Sequence, residues 1–294
     1  MRRNIRKGVT LTEVLVAIFV CGLGLMALMT LFPLGAMNMA QALKDDRCGH
    51  CAANASSVLR AFWRCSLEGG SAPNDAGLMA LENDLRTSPV YIDPLGVNMY
   101  GGAALPGGIP RRNLGNSSYQ QALRWCTFLD DLDFNPNAMP VMAGAEVSRQ
   151  GRYSWAWMVR WMGPPSHADK IPDPQRSRLR ALEYSVVVYH NRPQTQSLSG
   201  VPIGENQYQG TFDPAAQTII VPGKPSIKKG QWILDATAGN DPKGYFYRVI
   251  SVKDAGGSVI LTTQQAFRGW PAGGTGTIVH MENVAEVFER STLE

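Results

Sequence analysis

Thirty consecutive residues without a charged side chain, Val14 to Leu43, constrain this 294-residue chain more than any other feature. A helix needs about 20 apolar residues to cross the hydrocarbon core of a bilayer, so this run is long enough to span one. Residues 1–8 carry four basic side chains and no acidic one, whereas residues 44–47 hold two charges of each sign. This asymmetry predicts a single-pass protein with residues 1–8 in the cytoplasm and the bulk of the chain on the other side.

The net charge of +4 comes from this N-terminal segment alone. The other 24 basic residues are balanced by 24 acidic ones, so no basic surface for a nucleic acid is evident. Apolar residues make up 44% of the chain and charged residues 18%, which is typical of a globular protein and excludes wholesale disorder.

Glu13 is a carboxylate at the edge of the apolar run, and two simple interpretations of that run leave it unexplained. A cleavable secretory signal would use Ala40-Gln41-Ala42 and release a secreted protein, but the apolar core of such a signal is usually about 7–15 residues long. A plain uncleaved anchor fits the length. Neither explains the acidic residue. A charge at the centre of a membrane helix costs about 2.5–3.5 kcal/mol, and one nearer the edge costs less, but an intramembrane carboxylate by default marks a functional site.

Residues 7–17, K-G-V-T-L-T-E-V-L-V-A, resemble the prepilin cleavage and methylation signature of type IV pilins and type II secretion pseudopilins. The E-V-L-V-A core with the Gly/Leu/Met-rich run after it is most similar to minor pilins and minor pseudopilins. The resemblance is confined to the N-terminal segment through residue 40. One departure is Val9, where most members of the family carry Phe or Met.

The resemblance implies a membrane-stored structural subunit rather than an enzyme, with no cofactor. A prepilin peptidase and methyltransferase would cut after Gly8, behind the leader charges Arg6 and Lys7, and methylate Val9. Glu13 would guide assembly with other pilin or pseudopilin subunits on an inner-membrane assembly platform. The chain would then sit in the lipid of the inner membrane, with its C-terminal domain periplasmic or extracellular, until it joins a filament.

The chemistry of Glu13 fits that implication. Cleavage after Gly8 creates a cationic amine on Val9, about one helical turn from the carboxylate. A carboxylate buried alone in an apolar bundle is costly, whereas one paired with the amine of a neighbouring subunit costs far less and fixes the stagger between helices. The simpler alternative is that Glu13 reaches out to the cytoplasmic interface.

The rest of the chain predicts an α+β fold, in which a long helix packs on an antiparallel β-sheet and a further all-β region follows. A stripe of apolar residues continues the helix to Leu67, and short helices are predicted from Asp75 to Arg86 and from Ser117 or Ser118 to Phe128, with a loop at 94–116. The stripe consists of Ala52, Ala55, Leu59, Phe62 and Leu67. The predicted strands are residues 153–161, 183–190, 218–221, 231–236, 245–252, 258–263, 277–281 and 284–290.

Composition divides the chain into a leader at residues 1–8, a pilin helix at 9–69, an α+β domain at 70–192 and a C-terminal β module at 217–294. The Pro/Gly/Ser/Gln-rich stretch 191–216 is expected to link the last two. Strict alternation in Tyr153–Trp161 gives that strand an aromatic face, which we expect to pack on the helix rather than to stack sugars or bases.

The cysteines suggest a second function class. Cys48-Gly49-His50-Cys51 is similar to the redox centre of disulfide isomerases, so the alternative function is an uncleaved, membrane-anchored thiol-disulfide oxidoreductase. That chemistry needs a strand-to-helix junction, and here a membrane helix precedes the motif. We therefore expect structural disulfides among Cys48, Cys51, Cys65 and Cys126, with three possible pairings, and no metal site.

One further segment resembles a ligand site. Residues 131–137 alternate oxygen-bearing side chains like a calcium loop, but Pro136 replaces the required Gly and Met142 the final Glu. A solvated acidic turn is the preferred interpretation. The sequence contains no Walker, G-x-S-x-G or H-E-x-x-H motif, and nothing in it points to catalytic residues.

Overall fold

The structure is a computed structural model, and it describes residues 10–68, 84–85, 88–100, 102, 104–115, 117–143, 146–161, 182–192, 204–237 and 243–291. Its helices are α1 (Leu11–Glu68), α2 (Pro94–Tyr100) and α3 (Tyr119–Cys126). Its strands are β1 (Val90–Ile92), β2 (Arg111–Arg112), β3 (Met142–Ala143), β4 (Glu146–Val147), β5 (Tyr153–Trp161), β6 (Leu182–His190), β7 (Glu205–Asp213), β8 (Thr218–Pro222), β9 (Trp232–Asp235), β10 (Tyr245–Asp254), β11 (Ser258–Thr263), β12 (Gly274–Met281) and β13 (Val284–Ser291).

The chain divides into two compact units, Met1–Gly49 and His50–Glu294. In the first unit, every residue described from Thr10 to Leu43 is exposed. The predicted long helix is confirmed as α1, which continues through Pro33 over 58 residues. Lipid or the helices of other subunits must cover this apolar surface, because nothing else in its unit does.

The second unit is built on a five-stranded sheet in the order β13-β6-β5-β1-β2, in which only β1 and β2 run parallel. Successive side chains of a strand point to opposite faces. On one face, Trp157 donates its indole N–H to the carbonyl oxygen of Ala55 at 3.1 Å, so the aromatic strand packs on α1 as predicted. On the other face, Ala156 and Met158 enter a core shared with the C-terminal β region.

That C-terminal region is a closed antiparallel barrel in the order β10-β11-β8-β7-β12-β9. It has a core of its own around Phe212, Ile219 and Leu261. The fold is therefore α+β, as the sequence predicts, with a long helix, a mixed sheet and an antiparallel C-terminal part.

The barrel's boundaries differ from the predicted module at 217–294. Its first strand, Glu205–Asp213, lies inside the stretch expected to be a linker. The last strand, β13, leaves the barrel and pairs with β6 in the five-stranded sheet, where Val287 faces Val187. The barrel is thus inserted between two adjacent strands of the sheet.

The prediction of a loop across 94–116 is wrong at its start, where residues 94–100 form α2. Asp93 caps this helix, because its Oδ1 accepts the backbone N–H of Gly96 at 2.9 Å, and Pro94 occupies the first helical position. The predicted helix after Ser118 is confirmed as α3, which begins with a capping box between Ser118 and Gln121. Of the predicted helix at 75–86, only residues 84 and 85 are described, and both are helical.

Candidate assembly motif

The described part of the chain begins at Thr10, immediately before α1, and Thr10 and Glu13 form a reciprocal pair. The Glu13 Oε2 atom accepts the backbone N–H of Thr10 at 2.9 Å and the Thr10 hydroxyl at 3.0 Å. In return, the backbone N–H of Glu13 donates to the Thr10 Oγ1 atom at 3.4 Å. This T-x-x-E arrangement is a capping box, which satisfies N–H groups that the first helical turn would otherwise leave unpaired.

The sequence interpretation assigned no role to Thr10. The available signal was a Thr three residues before a Glu at the start of an apolar run. The structure gives the carboxylate a local partner within its own chain. The predicted cleavage and modification site at Gly8 and Val9, and the leader charges Arg6 and Lys7, lie outside the described residues.

Behind this pair, α1 has the length and composition of a membrane anchor. The stretch from Leu11 to Trp63 contains an 18-residue window with a mean hydropathy of 2.6, and none of that window is buried within the chain. Phe32 and Leu11, for example, are 80% and 79% exposed. A helix that is apolar on all sides is stable only within lipid or among other apolar helices.

The C-x-x-C motif lies in the interior of α1 rather than at a helix start. A helix N-terminus is what lowers the pKa of the attacking cysteine in redox centres of this kind, so that source of reactivity is absent at Cys48. Cys126 is a buried free thiol on α3, and burial raises its pKa well above the ordinary value. The side chain of Cys65 lies outside the described residues, and disulfide pairing among the four cysteines stays a prediction.

The predicted acidic turn at 131–137 uses its side-chain oxygen atoms in hydrogen bonds to nearby parts of the same chain. Asp131 accepts the N–H of Arg152 at 2.8 Å, and Asp133 accepts the hydroxyl of Ser148 at 2.8 Å. Asn135 accepts the N–H groups of residues 137 and 139. Among the residues that the structure describes, no three His, Cys, Asp or Glu side chains come together as metal ligands.

A group of four buried charges lies between the sheet and the barrel. Arg192 makes two hydrogen bonds to Asp93, at 2.8 and 2.6 Å, and Arg111 contacts both Asp93 and Glu205. Two guanidinium groups thus balance two carboxylates. Burial acts to raise the pKa of Asp93, but Arg192 and Arg111 outweigh it and hold that pKa below its ordinary value. Burial prevails at Glu205 and raises its pKa.

These four residues come from separate elements, so their role is to fasten β1, β2 and the end of β6 to the first strand of the barrel. A self-neutralising buried network of this kind specifies one packing arrangement more than it adds stability. Sequence interpretation did not single out any of the four.

A comparison with protein-family models matches residues 3–29 to the prokaryotic N-terminal methylation motif. The comparisons with curated proteins and with solved structures give no match. The matched segment contains the leader, Gly8, Val9, Thr10 and Glu13. This motif, followed by a long apolar helix, supports a type IV pilin-like protein and a pilin- or pseudopilin-like substrate of prepilin peptidase. Proteins with the motif are structural subunits that assemble with other pilins.

Proposed function

We propose that this chain is a minor pilin or minor pseudopilin. It is stored in the inner membrane as a single-pass precursor with its N-terminus in the cytoplasm. Prepilin peptidase cuts it after Gly8 and methylates Val9, and residues 9–45 then assemble into a filament of the type IV pilus or type II secretion kind. The barrel carries the specificity of the subunit.

The observation that carries this proposal is a single carboxylate at the start of α1, directly before the 30 uncharged residues from Val14 to Leu43. The capping box supplies Glu13 with hydrogen bonds but with no opposite charge. The mature N-terminal amine of a neighbouring subunit is a cation of the right kind to neutralise it. Assembly therefore pairs a charge that the capping box leaves uncompensated, which favours one axial stagger between subunits.

The test of processing is N-terminal peptide mass spectrometry on the protein from its native membrane. We expect the wild-type chain to begin at methylated Val9, and a Gly8→Glu variant to keep residues 1–8. Gly22→Ala is the matched control, because a Cβ at Gly22 meets no atom within 4 Å and processing should be unchanged. A wild-type chain that keeps its leader, or one that begins at Leu43, contradicts the proposal.

The role of Glu13 is tested separately with Glu13→Gln, which keeps the shape of the side chain and removes its charge. We expect normal cleavage and a loss of the subunit from sheared filaments. Thr12→Val serves as the control, since it removes a polar group from the same turn without touching the charge. Normal incorporation of the Glu13→Gln subunit would rule out charge pairing as the basis of assembly.

A further inference from the structure

His280 lies where the chain passes between the sheet and the barrel. It is in register with Asn206, and this pair is the second from the end of the ladder between β12 and β7. The chain enters the barrel one residue before Asn206 and leaves it one residue after His280. Both connections to the sheet therefore meet at this end, which we call the barrel root and define as residues 204–206 and 280–283.

The barrel root is closed by the ends of two ladders and by hydrogen bonds of Glu282. The N–H of Glu282 donates to the carbonyl oxygen of Gly204 at 2.7 Å, and the Asn206 side-chain amide donates to the Glu282 Oε1 atom at 3.2 Å. His280 is also the last residue of the ladder between β12 and β9, where it is in register with Ile233. Because both ladders end here, the root can open while the rest of the barrel stays paired.

The imidazole ring of His280 points into the apolar core of the barrel. Its neighbours Val279 and Met281 enter the core that the barrel shares with the sheet, so His280 lies on the opposite side of β12, with Ile278. The ring is buried, and neither of its nitrogen atoms has a hydrogen-bond partner among the described residues. A protonated ring carries two N–H donors and a charge, and all three are costly to keep in such a place without partners.

Other ionisable side chains lie on the same side of the strands around His280. They are Tyr208 on β7, Asp235 on β9 and Glu282 just after β12. The Asp235 carboxylate already accepts hydrogen bonds from Thr237 and Trp270. Glu282 is exposed, and its charge only partly opposes the effect of burial, which lowers the pKa of His280. Glu282 is therefore the carboxylate that a protonated ring would meet on leaving the core.

We propose that His280 is a proton-operated switch that opens the barrel root in a mildly acidic environment. The neutral ring stays in the core. When it takes up one proton from the solvent, it moves out to water and to the Glu282 carboxylate, and the last pairs between β7 and β12 separate.

The opening also loosens the contact between the barrel and the sheet. Glu205, the first residue of β7, pairs with Arg111 of β2, so a displaced β7 end weakens that ion pair. The shared core around Leu234 and Val279 still holds the two parts together. The change is therefore a local loosening at one end of the barrel, and it does not depend on the proposed function.

Hydrogen exchange of the full-length protein in detergent, followed by mass spectrometry, tests this switch. An opening that exposes a histidine with the ordinary pKa of 6.5 takes up one proton, so the open population should rise by up to about tenfold between pH 7.5 and pH 5.5. Peptides from the barrel root should exchange faster by this factor, after correction for the intrinsic pH dependence of exchange.

Urea separates a local opening from unfolding of the whole unit. A local opening exposes little surface, so at pH 5.5 the exchange of the root peptides should not change in 1 M urea. Peptides from β5 should exchange more slowly and should accelerate in urea. Root peptides that match the β5 peptides in rate and in urea dependence would overturn the proposal, because exchange would then require global unfolding.

Substitution of the histidine assigns the response to one side chain. His280→Leu should abolish the acid-induced increase at the root, and His280→Gln, which keeps a polar side chain that does not titrate, should do the same if the leucine variant fails to fold. His190→Gln is the matched control. His190 lies beside the root, where its backbone N–H donates to the carbonyl oxygen of Asn283 at 2.9 Å, but it belongs to the sheet.

The control variant should keep the full wild-type response. A wild-type root that does not respond to acid, a response that survives the loss of His280, or one that disappears in His190→Gln would each overturn the proposal.

Discussion

His280 is a single ionisable side chain enclosed by the barrel wall. It is 1% exposed, and neither ring nitrogen has a hydrogen-bond partner among the described residues. Burial lowers its pKa below the ordinary 6.5, and the nearby Glu282 carboxylate opposes this only in part. Between 6.5 and the lowered pKa, the unfolded chain binds the proton more tightly than the folded one. The stability of the fold therefore decreases as the pH falls through that window.

The variant His280→Leu should remove this pH dependence. We expect the free energy of unfolding to change less with pH between pH 7 and pH 5 than in the wild type. At neutral pH it should not decrease, since the substitution removes two unpaired polar atoms from the core. Urea unfolding of the full chain in detergent at several pH values measures it. Ile278→Leu, a volume-conserving change on the same strand, should keep the wild-type slope. An unchanged slope in His280→Leu would assign the acid sensitivity to other groups.

Asp93 should be one of the most sensitive positions to substitution. Asp93→Asn leaves Arg111 and Arg192 buried with only one carboxylate, and breaking a buried pair in this way costs about 3–5 kcal/mol. The stabilising contribution of Asp93 is present above its ordinary pKa of 3.8 and is lost as the pH falls through its lower folded pKa. Urea unfolding at neutral pH measures the loss.

The control for Asp93 is an ion pair on the surface. Arg112 pairs with Asp84 at 2.5 Å, and its side chain is 44% exposed. Arg112→Ala should therefore cost less than about 1 kcal/mol. Equal losses for the two variants would mean that burial does not decide the energetics of these pairs.

No sequence argument could have found the buried charge network. Asp93 and Arg192 are 99 positions apart, and Arg111 and Glu205 are 94 apart. Helix and strand periodicity relates only neighbours along one element. By contrast, the capping box of Thr10 and Glu13 spans three residues, so its signal was present in the sequence.

Among the strands, the longer runs of large apolar or β-branched residues could be predicted, whereas very short strands and polar-rich ones could not. β5 and β11 were confirmed because aromatic or β-branched side chains recur at every second position. β7 was missed because its buried side includes Gly210, and its sequence is rich in polar residues. The space that a side chain at 210 would fill is already occupied by Ile278 and Ile219.

That crowding makes β7 intolerant of even a methyl group. A Cβ at Gly210 would lie 2.5 Å from the Cδ1 atom of Ile278 and 2.7 Å from the Cγ2 atom of Ile219. We expect Gly210→Ala to destabilise the fold by about 1–3 kcal/mol through overpacking. Urea unfolding gives the value, and faster exchange of the β12 amides locates the damage.

The same substitution where space is open provides the comparison. Gly49 lies within α1, and a Cβ at this position would meet no atom within 4 Å. Gly49→Ala should leave stability unchanged or raise it by about 0.5–1 kcal/mol, since alanine favours the helix. A Gly210→Ala chain as stable as wild type would indicate that the barrel core relaxes freely.

At the scale of the whole molecule, the insertion of the barrel into the sheet decides how the second unit behaves. Val287 on the last strand meets Val187 on β6, one hundred positions earlier. One core joins Met158 and Val187 of the sheet to Leu234 and Val279 of the barrel. Composition suggested a detachable module after a linker, because the stretch 191–216 is rich in polar residues. Composition cannot show that the last strand, β13, pairs with β6 in the sheet.

A shared core predicts that sheet and barrel unfold together. In urea, peptides from β5 and from β8 should lose hydrogen-exchange protection at the same concentration. Leu234→Ala removes a fully buried side chain from the shared core, so it should cost about 2–5 kcal/mol and lower both midpoints equally. Ile219→Val, in the core that belongs to the barrel alone, should cost about 0.5–1.5 kcal/mol and also move both midpoints, since the two parts are coupled. If the β8 peptides respond to these variants while the β5 peptides keep their wild-type midpoint, the barrel is an independent module held in the sheet only by its two connections.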